Sequence, residues 1–208
     1  MKTAARRLLA PLALVAALAG PASATATPNL FHHDLGLVDG HLRIAIEYAP
    51  EELGEALRSA DLVCNLGERT LSLGEADLAS ADWMTLEQLV DQMATGAAHR
   101  VQVAFGNADS VLADLRARWE ERWAGARTQL RELRRGVAAT RRGIATMRAV
   151  IAGLETPFGS WHAHECAAAT RGVEHAFSSA PEGLEQINVG MLRLWRLAEL
   201  PPPRTEGG

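Results

Sequence analysis

The sequence predicts an α+β protein that is predominantly helical: a small mixed α/β module followed by a long antiparallel helical hairpin. Three observations carry this. An apolar stripe runs without proline from Asn107 to Glu155. Shorter amphipathic stretches return after it. Before it, several short segments switch from helical to alternating periodicity.

The stripe comprises Leu112, Leu115, Trp119, Trp123, Ala126, Leu130, Leu133, Val137, Thr140, Ile144, Met147, Ile151 and Leu154. Steps of three and four alternate along it, apart from a second consecutive step of four at Trp119 to Trp123. A seam of this kind buries against partner helices in a coiled-coil-like manner. One helix over about 107–155 is therefore expected, roughly 70 Å long. Within it Arg134-Arg135-Gly136-Val137-Ala138 is echoed one heptad later by Arg141-Arg142-Gly143-Ile144-Ala145. Gly136 and Gly143 then lie on one line and admit a close neighbour, at about 1 kcal/mol of helix propensity each.

Two return helices are expected after Thr156-Pro157 and Gly159. The first, capped by Ser160, puts His162, Cys166, Ala169, Val173 and Phe177 on one face. The second opens on a capping box at Ser179 and Glu182 and carries Leu184, Ile187, Met191, Leu194, Trp195 and Ala198. Folded back, they place Trp195 opposite Trp119 and Trp123, predicting an aromatic cluster at the open end. Pro201-Pro202-Pro203 stops the last helix, and 201–208 is expected to be a disordered tail.

The region 25–106 reads as the small α+β module. Leu35 to Val38 and His41 to Tyr48 alternate about Asp39-Gly40, the pattern of a hairpin. Pro50 opens a short helix with Leu53, Ala56, Leu57 and Ala60 on one side. Leu62-Val63-Cys64 and Thr70 to Leu73 resemble short strands. A capping box at Thr85 and Gln88 starts a helix with Leu86, Leu89, Val90, Met93 and Ala97, and Val101, Val103 and Phe105 alternate as a strand. That order suits a split β-α-β arrangement like the ferredoxin fold.

Residues 1–24 have the form of a cleavable signal peptide. Lys2, Arg6 and Arg7 are basic, Leu8 to Leu18 is apolar, and Ala22-Ser23-Ala24 fits the small-x-small cleavage pattern. The apolar run is short for a bilayer span, and no later segment is apolar enough for one. A periplasmic or secreted protein is expected. Hydrophobic residues make up 48% of the 208 and charged ones 22%, with a net charge of -4, which fits a globular chain and argues against nucleic-acid binding. The charge is uneven: 28–107 holds 13 acidic and 4 basic residues, whereas 108–155 holds 6 acidic residues and 10 arginines. An acidic head and a basic helix would attract each other, within the chain or between copies.

The densest chemistry is Trp161-His162-Ala163-His164-Glu165-Cys166. On a helix His162 and Cys166 stand at i and i+4, so both could reach one soft metal such as copper or zinc. Further ligands would come from Cys64, His99 or the His32-His33 pair. The structural alternative makes Cys166 a small core residue. The acidic loop of Glu75, Asp77 and Asp82 lacks calcium-loop spacing, and no haem-attachment, zincin, nucleophile-elbow or phosphate-loop motif is present. An enzyme is not the expected reading, and no cofactor is called for beyond the Cu or Zn alternative.

A straight helix would hold Cys64, in the module, about 60 Å from Cys166, which lies opposite residue 150. No Cys64–Cys166 bridge is then expected. A bridge would require the helix to break at Gly125, Gly136 or Gly143, or the module to fold back along it. The functional expectation is an exported, non-catalytic envelope interaction or scaffold protein. Its Arg-rich amphipathic helix would meet a protein partner or a second copy. The alternative is a soluble periplasmic metal-binding protein using His162, Cys166 and Cys64.

Overall fold

The computed structural model describes residues 30–73, 80–159 and 166–200. The signal-peptide pattern, the acidic loop residues Glu75 and Asp77, His162, His164 and the tail lie outside these. All the described elements are helical: α1 (Leu30–Arg43), a π-helical turn (Ile44–Tyr48), α2 (Ala49–Leu73), α3 (Ser80–Arg122), α4 (Arg127–Gly159), α5 (Cys166–Phe177) and α6 (Ala180–Ala198). They pack as a bundle whose most extensive interface is α4 against α6. α3 lies against α4, α1 and α2, and α5 lies against α4.

The expected mixed module is therefore a correction: no strand occurs among the described residues. In α1 the buried residues are Phe31, Asp34, Leu35, Val38 and Leu42, followed by Ala45 in the π turn. Their spacing of three and four extends over a longer stretch than the alternation of Leu42, Ile44 and Ile46, and Ile44 is exposed. The longer period wins because only a helix puts that whole set on one face. Asp39-Gly40 accordingly lies inside a helix, not at a turn.

The same logic extends α2 and α3. Leu53, Ala56, Ala60 and Val63 continue one buried face through the segment expected to become strand, and α2 runs on to Leu73. In α3, Val90, Ala94, Ala97, Ala98, Val101, Ala104, Phe105, Ala108, Leu112 and Leu115 are buried while Val103 is exposed. Val101 and Phe105 are thus an i, i+4 helical pair. Thr85 falls five residues inside α3 and not at its start, so the expected capping box has no helix end to serve. α3 also passes without interruption through 106–107, where the hairpin was expected to begin.

The long helix is not one helix. It breaks between Arg122 and Arg127, around Gly125, where the Ala126 amide donates to the Trp123 carbonyl at 2.8 Å. The break follows directly after the double step of four at Trp119 and Trp123. The seam survives on either side of the break: Leu112, Leu115 and Trp119 on α3, Trp123 just after it, and Leu133, Val137, Thr140, Ile144, Met147, Ile151 and Leu154 on α4 are buried, whereas Ala126 and Leu130 at the break are only partly so. Its two halves belong to two helices that pack on each other instead of continuing in line.

With the helix broken, Cys64 on α2 and Cys166 on α5 meet in a disulfide with a Cα–Cα distance of 5.8 Å. The expectation of unbridged cysteines is overturned for the reason anticipated: the break at Gly125 folds α3 back on α4, and α2, packed on α3, thereby comes within reach of α5, packed on α4. The expected cluster of Trp195 with Trp119 and Trp123 is replaced by another. Phe31 packs on Trp119 and Trp123, with ring centroids 5.0 and 4.9 Å apart. Trp195 instead meets His32 edge-on at 4.8 Å. At α6, Ser179 is the N-cap residue but makes no side-chain capping bond, so the capping box does not form.

Candidate interaction surface on helix α4

Helix α4 has seven arginines and two glutamates in 33 residues, and its two faces differ sharply. The inward face is built for close approach. A Cβ placed on Gly136 would meet Leu194 Cδ2 at 2.8 Å, and one on Gly143 would meet the Ile187 amide nitrogen at 2.7 Å. From the other side, a Cβ on Gly190 would stand 2.8 Å from the Gly136 carbonyl oxygen. The neighbour that Gly136 and Gly143 admit is therefore α6. Between them Thr140 is fully buried, and its hydroxyl donates to the Gly136 carbonyl at 3.0 Å.

One flank of α4 is tied to α3 by side chains. Arg141 makes a bidentate pair with Asp109, Nε to Oδ1 at 2.6 Å and Nη2 to Oδ2 at 3.0 Å. This pairing holds the Arg141 guanidinium above its usual value, first through the hydrogen bond to Asp109 and then through its charge. Arg134 Nε donates to Glu120 Oε1 at 2.7 Å, and Arg116 donates to the same oxygen at 3.0 Å. The Arg134 hydrogen bond is the main cause that lowers the Glu120 carboxyl below its ordinary range. Partial burial opposes it, and Arg116 adds to the lowering. Arg148 and Gln102 bond side chain to side chain at 3.2 Å, and the Gln102 amide donates to the Arg148 carbonyl at 2.9 Å. These acids, Asp109 and Glu120, belong to the 108–155 stretch itself; between the acidic 28–107 stretch and the arginines after it, the described ion pair is Asp34 with Arg118 at 3.4 Å.

The outward face is different. At 3.6 residues per turn Arg127, Arg131, Arg134, Arg135, Ala138 and Arg142 form a stripe opposite the buried seam. Arg135 reaches Glu132 at 3.0 Å, and Arg193 of α6 approaches the other Glu132 oxygen at 3.2 Å. Arg127, Arg131 and Arg142 make no ion pair among the described residues and are exposed. Arg127, Leu130, Arg131, Arg134, Arg135 and Ala138 line a shallow groove of about 460 Å³. Its floor is apolar and its walls are guanidinium groups. Such a surface can accept carboxylates, because arginine presents a planar fork of donors and stays charged.

The sequence-predicted metal residues fare differently. Cys64 and Cys166 are brought together, but as a disulfide, and a disulfide sulfur is not the thiolate that binds a soft metal. His162 lies outside the described residues. His32, exposed on α1, faces Trp195. Among the described residues no three His, Cys, Asp or Glu side chains converge as a metal site would require. No described helix is long and apolar enough to cross a membrane.

Sequence reasoning missed Asp34. Its buried carboxylate accepts a hydrogen bond from Trp119 Nε1 at 2.9 Å and stands 3.4 Å from Arg118 Nη1. No local pattern marks it, because its indole partner stands 85 positions away. The fold thus defines a disulfide-linked helical bundle with one arginine-rich face. No protein-family model, curated protein or solved structure matches the chain.

Proposed function

We propose that this protein is an exported, non-catalytic interaction or scaffold protein whose α4 stripe holds an acidic helical segment of a partner protein. The observation that supports this most directly is the outward row of Arg127, Arg131 and Arg142, exposed and without ion pairs among the described residues, beside a groove with an apolar floor. Charge complementarity selects the occupant. The segment would bring Asp or Glu to the arginines and a small apolar residue to Leu130 and Ala138. Helical spacing on the partner would match the three-and-four spacing of the stripe. The signal-peptide pattern and the Cys64–Cys166 bridge support an oxidising compartment outside the cytosol.

The test is a titration of a fluorescent Glu-rich helical peptide with the purified protein, read by anisotropy. Saturable binding that weakens with salt is expected, since the contact is between exposed charges. Arg127→Glu combined with Arg131→Glu should weaken it at least tenfold while leaving the circular dichroism unchanged. Binding indifferent to both charge reversals would remove the basis of this reading.

A further inference from the structure

On a different face, a groove of about 360 Å³ lies between α6 and the run of α1 into the π-helical turn. This size falls in the range that holds small organic molecules. Leu42, Ile187 and Met191 form its floor and are 3%, 3% and 7% exposed. Ile46 and Leu184 form its apolar sides, and Leu184 is 37% exposed. Asp39, Arg43, Glu47 and Asn188 supply the polar rim. Unbranched Met191 gives the floor an adaptable element, as thioether side chains fill irregular spaces.

Two features make this more than a gap between helices. The first is the π turn. An i→i+5 turn carries about one more residue than an α turn. That extra residue carries Glu47 round toward the side of the helix occupied by Leu42, whereas a regular α-helix would turn it away. Single π turns inside α-helices recur at functional sites. The second is the charge balance of the rim. Arg43 Nε pairs with Asp39 Oδ2 at 2.9 Å, so these two opposite charges offset each other in the rim's net charge. The carboxylate of Glu47 makes no ion pair among the described residues and is the charge left over at the mouth of an apolar groove.

We infer that this groove binds a small amphipathic cation: an alkyl or aryl body that lies on Leu42, Ile187 and Met191, with a primary amine at the Glu47 carboxylate. An anionic amphiphile would meet a rim on which Asp39 and Glu47 together outweigh Arg43. This site is separate from the α4 stripe, so either can fail without the other.

The test uses the full disulfide-bonded chain and an eight-carbon series of octylamine, octanol and octanoate, each below its aggregation concentration. Binding is followed by calorimetry and by the methionine methyl signals in NMR. Octylamine is expected to bind saturably and shift the Met191 methyl, with octanoate at least tenfold weaker. Shortening the amine should weaken binding about fourfold per methylene removed. Glu47→Gln should bring octylamine down to the level of octanol. Leu184→Trp, at a side chain already partly exposed, should fill the groove and abolish binding without unfolding the protein. Equal affinity for octylamine and octanoate would overturn the inference, as would non-saturable uptake. Octylamine binding that survives Leu184→Trp in a folded protein would overturn it equally.

Discussion

Asp34 shows how much one buried carboxylate can organise. It accepts from the Trp119 indole N–H, while Phe31, one helical turn before it, packs on the same indole and on Trp123. Arg122 lies over the Trp119 ring at 5.1 Å. Replacing Asp34 by alanine strands a buried N–H, which costs about 1–3 kcal/mol. Urea denaturation should show that loss, and tryptophan emission should change. The Asp34→Asn variant keeps an acceptor and should lose less. Glu120 makes a pH prediction. Its folded-state carboxyl is depressed chiefly by Arg134. The stabilisation it adds is therefore complete above the ordinary carboxyl value and is lost as pH falls through its lower folded value. In denaturation series from pH 6 down to about pH 2.5, the advantage of wild type over Glu120→Gln should shrink only on the acid side. An advantage that grew on acidification would contradict the Arg134 pairing. Neither contact was legible in the sequence: Asp34 and Trp119 are 85 positions apart, and no local pattern joins them.

At the scale of elements, the decisive contact is α4 against α6. Gly190→Ala would drive a Cβ against Thr140 and the Gly136 carbonyl. The helix-propensity gain of about 1 kcal/mol opposes the steric cost but does not cancel it. Overpacking of this kind against backbone costs about 1–3 kcal/mol. Gly40, on α1, has nothing within 4 Å of an added Cβ, so Gly40→Ala should be neutral or stabilise by up to about 1 kcal/mol. Thermal or chemical denaturation should therefore place Gly190→Ala below wild type and Gly40→Ala level with it or above. The glycine line at Gly136 and Gly143 was legible because heptad spacing puts both on one face whatever lies opposite. Which helix lay opposite was not. The apolar seam was legible for the same reason. Its break at Gly125 was not, since a change of step at Trp119 and Trp123 is equally compatible with a straight helix. The short alternating runs of α1, α2 and α3 misled because a three-residue alternation also fits a helix carrying extra apolar residues on its exposed side. Ile44 and Val103 are such residues.

For the whole molecule, the Cys64–Cys166 bridge joins two helices that otherwise pack on different partners, α2 on α3 and α5 on α4. It closes a loop with a sequence separation of 102 residues. In the chain-entropy account such a loop is worth about 4–5 kcal/mol. Cys64→Ser with Cys166→Ser should lower the denaturation midpoint correspondingly, and reduction of the wild type should reproduce the shift. A double variant as stable as wild type would show that the bundle does not rely on the bridge. The sequence by itself determined the helical seam, the paired glycines, the Arg-rich outward stripe and the positions of two cysteines able to bridge. Each follows from local periodicity or residue chemistry, which act over one or two turns. Only the tertiary structure decided that the N-terminal segments are helices, that the long helix reverses at Gly125, and that the cysteines meet. Those outcomes depend on which apolar faces cover one another. That choice is made between residues tens of positions apart, where no short-range pattern reaches.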